Sequence, residues 1–228
     1  MGISSRMGQW FTNYNSLSSP GAKLRSKRIA PLLRLIETKY KEHGSVSIID
    51  LGGTEQYWDI VPIEVLNNNK VQITIVNLPG TQVQSDHGPF NFVQADACNL
   101  SDFPDKSFDI VHSNSVIEHV GDWDRMVSFA AEVKRLSVNY FVQTPNYWFP
   151  IEPHCMTPFY HWLPKPFRLF LVTHFQLGHW EQANSIDEGM QLVESARLLD
   201  RKMFQSLFNE ATITTEKYFL LPKSFIAT

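Results

Sequence analysis

Five short apolar runs recur along the N-terminal part of this chain: VSIID (46–50), VQITIVNL (71–78), FNFVQAD (90–96), FDIVHS (108–113) and VNYFVQT (138–144). Near-continuous runs of Val, Ile and Phe belong to strands that are covered on both faces. Helical stretches stand between them: Tyr57 to Leu66 follows the first run, and Trp123, Met126, Val127, Ala130 and Val133 mark one helix face before the last. Strands and helices in this alternation predict an α/β fold with a mostly parallel, doubly wound sheet between helical layers, a three-layer α/β/α sandwich.

Ahead of the first run, Ile29, Leu32, Leu33, Ile36 and Tyr40 fall on one helix face, and Gly44 is placed to end that helix. Residues 1–22, rich in Ser, Gly and Asn, read as a loosely held arm. After Pro145 the texture changes. PNYWFPIEPHCMTPFYHWLPKPF (145–167) is dense in proline and aromatic residues, which predicts a long loop acting as a lid. The tail predicts a helix near Ser195 to Asn209 and two strands, TITTEKYFL and SFIAT, pairing as an antiparallel hairpin on the sheet edge. One domain therefore divides into an arm and helix (1–44), a core (45–145), a lid (146–190) and a C-terminal helix and hairpin (191–228).

A chain of 228 residues with 43% hydrophobic and 19% charged residues has enough apolar material for one sizeable core. The net charge of -3 comes with no long run of like charge, so no nucleic-acid partner is expected, and KLRSKR (23–28) reads as a solvated helix start. FRLFLVTHF (167–175) is too short to cross a bilayer, so no membrane is expected either. Cys98 and Cys155 form no CxxC pair, which points to a reducing, cytoplasmic setting. Glu152, His154, His161, His174 and His179 lie near one another in sequence, yet none shows the HxxxH or HExxH spacing of helical metal ligands. No metal is expected.

The stretch IIDLGGTEQYW (48–58) ends the first strand in an acid and two glycines, a turn that lets backbone N–H groups approach a ligand. A dinucleotide's pyrophosphate fits it poorly, because Glu55 would repel the phosphates. A phosphate loop of the sugar-kinase and actin type would need a following hairpin and a second such turn, and the chain has neither.

DLGGT instead resembles the turn of class I S-adenosylmethionine methyltransferases, with Gly52 and Gly53 matching and Thr54 standing where a further glycine is usual. FVQADACNLSDFPDKSFDIVHSNSVIEHV (92–120) is similar to the same family over a much longer stretch. FVQTPNYWFPIEPHCMTPFYHWLP (141–164) is similar to a segment of a bacterial, small-molecule subset of type 11-like methyltransferases. The resemblance implies a Rossmann-like fold that binds S-adenosylmethionine, releases S-adenosylhomocysteine, and methylates O, N or C of a small-molecule acceptor such as a secondary metabolite or sugar precursor. It implies that Asp96 and Ala97 hold the adenine edge and that Ser113 and Asn114 lie beside the methionine part. Asn77, followed by Leu78, takes the place of the acid that usually holds the ribose.

Methyl transfer asks the protein to align an acceptor with an already activated carbon, and a base helps where the acceptor carries a proton. His154, Glu152 and His119 are the candidate catalytic residues, with His154 favoured because Pro153 stiffens its backbone. Arg28 and Arg25 could reach the methionine carboxylate from the N-terminal helix, as the arm does in some relatives. Two readings compete with methyl transfer: a catalytically silent methyltransferase-like binding module, and an NAD(P)-dependent oxidoreductase.

Overall fold

The computed structural model describes residues 28–81 and 85–228, so the arm and Arg25 lie outside the described residues. All seven expected strands form, within one or two residues of their expected limits apart from the hairpin strands. They are β1 (Val46–Leu51), β2 (Val71–Asn77), β3 (Phe90–Gln94), β4 (Ile110–Asn114), β5 (Tyr140–Pro145), β6 (Ile213–Tyr218) and β7 (Leu221–Ala227). They join in one sheet of order β3-β2-β1-β4-β5-β7-β6. The first five strands run parallel, and β7 inserts antiparallel between β5 and β6. The strand order reverses between β1 and β4, the switch point at which open α/β sheets leave a crevice at the carboxyl ends of their strands.

Alternation along β1 shows how the sheet is covered on both sides. Ile48 packs with Leu32 and Ile36 of α1 (Ala30–His43), whereas Ile49 and Leu51 pack with Phe129 and Val133 of α4 (Trp123–Leu136). Gly44, in the left-handed region at φ 75°, closes α1 by donating its N–H to Tyr40. The helix expected from Tyr57 to Leu66 is split into α2 (Glu55–Trp58) and α3 (Ile63–Asn68). Pro62 stands at the start of α3, because proline has no N–H to continue α2 and disfavours helical backbone at the residue before it.

The segment expected to be a lid loop holds more regular structure than its prolines and aromatics announce. It contains α5 (Lys165–His174) and most of α6 (Ile186–Glu194), which pack around a small separate core of Cys155, Tyr160, Val172 and Val193. Pro164 and Pro166 fall at the start of α5, where proline is tolerated. The helix expected near Ser195 to Asn209 is α7 (Arg201–Leu207), capped by Asp200 accepting from the Met203 N–H. Among the described residues, no helix is long and apolar enough to cross a membrane.

Arg28 ties the N-terminal helix to the far sheet edge. Its guanidinium donates to both carboxylate oxygens of Glu216 on β6, at 3.1 and 2.8 Å, and both side chains are under 10% exposed. Burial works against the Glu216 charge, but Arg28 and the Ser224 hydroxyl outweigh it and hold the carboxyl below its ordinary 4.5. The folded state therefore gives up this proton more readily than the unfolded chain. The pair's contribution is present above about pH 4.5 and is lost as the pH falls through the folded value. Glu216→Gln is expected to cost about 2 kcal/mol near neutral pH and to converge with the wild type in acid. Denaturant melts across pH check this, and a constant difference between the two proteins would refute it.

Candidate functional site

The glycine turn is built on Asp50. This carboxylate is fully buried and takes the Trp58 indole N–H at 2.9 Å and the His112 Nδ1 at 2.6 Å. It fills the space beneath the turn so closely that a Cβ on Gly53 would lie 1.8 Å from Asp50 Oδ2. Gly52 adopts φ 71°, and a Cβ there would meet Val116 at 2.6 Å. Both glycines are therefore required by the packing beneath the turn. The main chain that results runs across the carboxyl end of β1.

At the end of β2, Asn77 donates Nδ2–H to the Gly53 carbonyl at 3.0 Å, which leaves its side-chain oxygen as the acceptor for a ligand hydroxyl. Leu78, just beyond, is exposed. After β3, Asp96 accepts from both terminal guanidinium nitrogens of Arg125 at 2.8 Å and from the Cys98 backbone N–H at 2.9 Å. The hydrogen bond from Arg125 holds its carboxyl below the usual range. Oδ2 has lone-pair capacity left for an exocyclic amine, and Ala97 lies half-buried beside it. Arg125 carries no sequence signal of this role, because its partner lies 29 positions away with β4 between them.

Three of the expected site positions hold partners within the protein. The Ser113 side chain is fully buried and its hydroxyl donates to the Leu51 carbonyl, so it braces β4 against β1 and does not face the crevice. Arg28 is held by Glu216 and donates to the Asn114 side-chain oxygen at 3.0 Å, so both residues stand at the crevice but already hold partners. Glu152 is a poor base: Oε1 takes the His154 Nδ1 and Oε2 takes the backbone N–H of His154 and Cys155, each at 2.7 Å. Burial opposes its charge, yet the His154 ring and the Cys155 amide keep the carboxyl below its ordinary range. Glu152 orients His154 and leaves Nε2 as its open nitrogen. Thr54 remains exposed at the start of α2, with no side-chain cap bond.

The second half of the site grows from a single 3-10 turn, Ile117–His119, that follows β4. His119 places Nδ1 2.7 Å from the Ser195 carbonyl, which can only accept, so its Nε2 carries the lone pair. The His119 and His154 rings meet edge to face with centroids 4.6 Å apart. Glu118, absent from the sequence expectations although it stands in the quoted IEHV, is fully buried behind them. Thr144 donates to one of its oxygens at 3.0 Å and the other has no partner, and burial pushes its pKa up to about 7. His161 and His174 are spent on the carbonyls of Tyr147 and Phe170.

Beyond Glu152 and Ser195 a cavity of about 580 Å³ opens, walled by Tyr147, Tyr160, Trp162 and Trp180, with Arg168 and Arg197 at its border. The Tyr160 hydroxyl and the Arg168 Nε are buried there without a hydrogen-bond partner among the described residues.

The comparisons agree with this geometry. A family model described as "Methyltransferase domain" matches residues 62–137, which run from α3 through α4. An uncharacterized protein of Mycobacterium tuberculosis, present in two strains, is 39% identical over 62 residues; the match spans 27% of this chain and 21% of that protein's length. Among solved structures, the PH0226 protein from Pyrococcus horikoshii OT3 superposes with a TM-score of 0.55 at 15% identity, covering 100% of this chain and 97% of that one. The CurJ carbon methyltransferase superposes with a TM-score of 0.55 at 11% identity, covering 97% of this chain and 56% of that one. The chain shares the Rossmann-like fold of these two structures. The sequence likeness to a methyltransferase domain is confined to residues 62–137, about a third of the chain.

Proposed function

We propose that this chain transfers a methyl group from S-adenosylmethionine to an O, N or C atom of a small-molecule acceptor. The observation that carries this reading is the placement of Gly53, the Asn77 side-chain oxygen and the Asp96 carboxylate at the ends of three neighbouring strands. That row suits a ligand with a diol in its middle and an amine at one end. A cavity of about 580 Å³ with aromatic walls and a few polar groups is of the size that holds a small molecule. Polar side chains in its lining, Glu152, Lys165 and Arg168 among them, favour an acceptor that brings polar substituents. His154 and His119 each spend Nδ1 on a protein partner, which leaves Nε2 to take the acceptor's proton. A cytoplasmic setting suits Cys98 and Cys155, which are both free thiols.

Calorimetry with S-adenosylmethionine and S-adenosylhomocysteine, then a search for released S-adenosylhomocysteine over an acceptor panel, tests the proposal. Binding of both, with release for at least one acceptor, is expected. Binding without any release would make the chain a silent binding module, and preference for NADH would make it an oxidoreductase.

A further inference from the structure

We propose that Glu118, His119 and His154 form a binding site for a divalent first-row transition-metal ion, with Glu152 as the residue that positions His154. The three ligand atoms these side chains offer all lie within 4.8 Å of one another. A tetrahedral ion with bonds of about 2.0–2.2 Å holds its ligands closer than that, and small side-chain rotations close the gap.

Each ligand is prepared for a cation in its own way. Glu118 is fully buried and keeps one carboxylate oxygen without a partner, an arrangement that water or an ion must complete. His119 is fixed through Nδ1 by the Ser195 carbonyl and His154 through Nδ1 by the Glu152 carboxylate, so both imidazoles turn the unprotonated Nε2 outward. A ligating histidine whose other nitrogen donates to a carbonyl or carboxylate is the common outer-shell arrangement of metal sites. Two imidazoles and one carboxylate favour zinc and its first-row neighbours over magnesium or calcium, and three protein ligands leave a coordination position open.

Helical metal spacing was absent from the sequence because the ligands come from one 3-10 turn and a loop 35 residues beyond it, joined only when β5 pairs beside β4. Val116, two residues before Glu118, packs on Gly52, so the ion would sit on the acceptor side of the crevice. There its open position would bind an acceptor oxygen and make it easier to deprotonate, a role that replaces proton uptake by His119 and His154, whose Nε2 lone pairs the ion would occupy. This last role rests on the methyl-transfer reading; the ion site itself does not.

The test is a cobalt(II) titration of the chelator-stripped full chain without methyl donor, read by visible absorption and followed by displacement with zinc. One equivalent is expected, with the absorption of a low-coordinate ion. Glu152→Gln should weaken binding about 10- to 100-fold and shift the spectrum, and Glu118→Gln and His154→Ala should each weaken it further. His174→Ala, on the exposed face of α5, should leave it unchanged. Cobalt bound equally by wild type, Glu118→Gln and His154→Ala, or not bound by wild type, overturns the proposal. His154 lies in a loop and is partly exposed, unlike the fully buried Glu118, so His154→Ala reads the site even if Glu118→Gln fails to fold. Calorimetry with S-adenosylhomocysteine on the same samples separates loss of the ion from loss of the donor site.

Discussion

Asp50→Ala is expected to destabilise the fold by about 3–5 kcal/mol, the largest stability loss among the substitutions considered. The carboxylate is fully exposed to protein and not to water, and it partners two buried groups, the Trp58 indole and the His112 ring. Truncation strands both, and each buried polar group left without a partner costs about 1–3 kcal/mol. The void beneath Gly53 adds to this, since the carboxylate fills the space there. Asp50→Asn keeps the shape and one acceptor, and should cost about half as much. Urea melts check the prediction: the midpoint should fall while the slope stays constant. A loss below about 1 kcal/mol would show that the buried cluster contributes little.

The second large effect concerns donor binding. Asp96→Ala should lower the affinity for S-adenosylhomocysteine about 10- to 100-fold, the worth of one hydrogen bond to a charged acceptor. The side chain is partly exposed and its partner Arg125 more so, so the fold should survive. Because Arg125 holds the carboxyl below its ordinary range, Asp96 stays ionised through neutral pH and down into acid. Binding should therefore be flat around neutrality and weaken only in acid. Arg125→Ala lets the carboxyl return toward its ordinary value and should move that acid limb upward. Calorimetry across pH reads both effects, and unchanged affinity in Asp96→Ala would remove this residue from the site.

The strands were legible because burial on both faces writes itself as continuous apolar runs, and a run needs no knowledge of its neighbours. The break at Pro62 was also written in the chain, but the apolar spacing around it continued and masked it. Helices α5 and α6 escaped notice because their aromatic and proline content resembles loop composition, while their stability comes from packing on each other and on Cys155 and Tyr160. The crevice residues Gly52, Gly53, Asn77 and Asp96 could be read because each stands at the end of a recognisable strand. The partners that define them could not. Asp50 meets a histidine 62 positions away, and Glu118 meets a threonine 26 positions away. Ser113 was expected beside the ligand because it lies at a strand end, but its buried hydroxyl is spent on the Leu51 carbonyl of β1, a partner 62 positions away.

The turn after β4 touches both halves of the site within four consecutive residues: Val116 lies against Gly52, while Glu118 and His119 are clasped by Thr144, Arg197 and Ser195. Donor side and acceptor side thus hang from one stretch of backbone. Under the proposed methyl transfer, the spacing of donor from acceptor is set by this one stretch, whatever the aromatic segment beyond it holds.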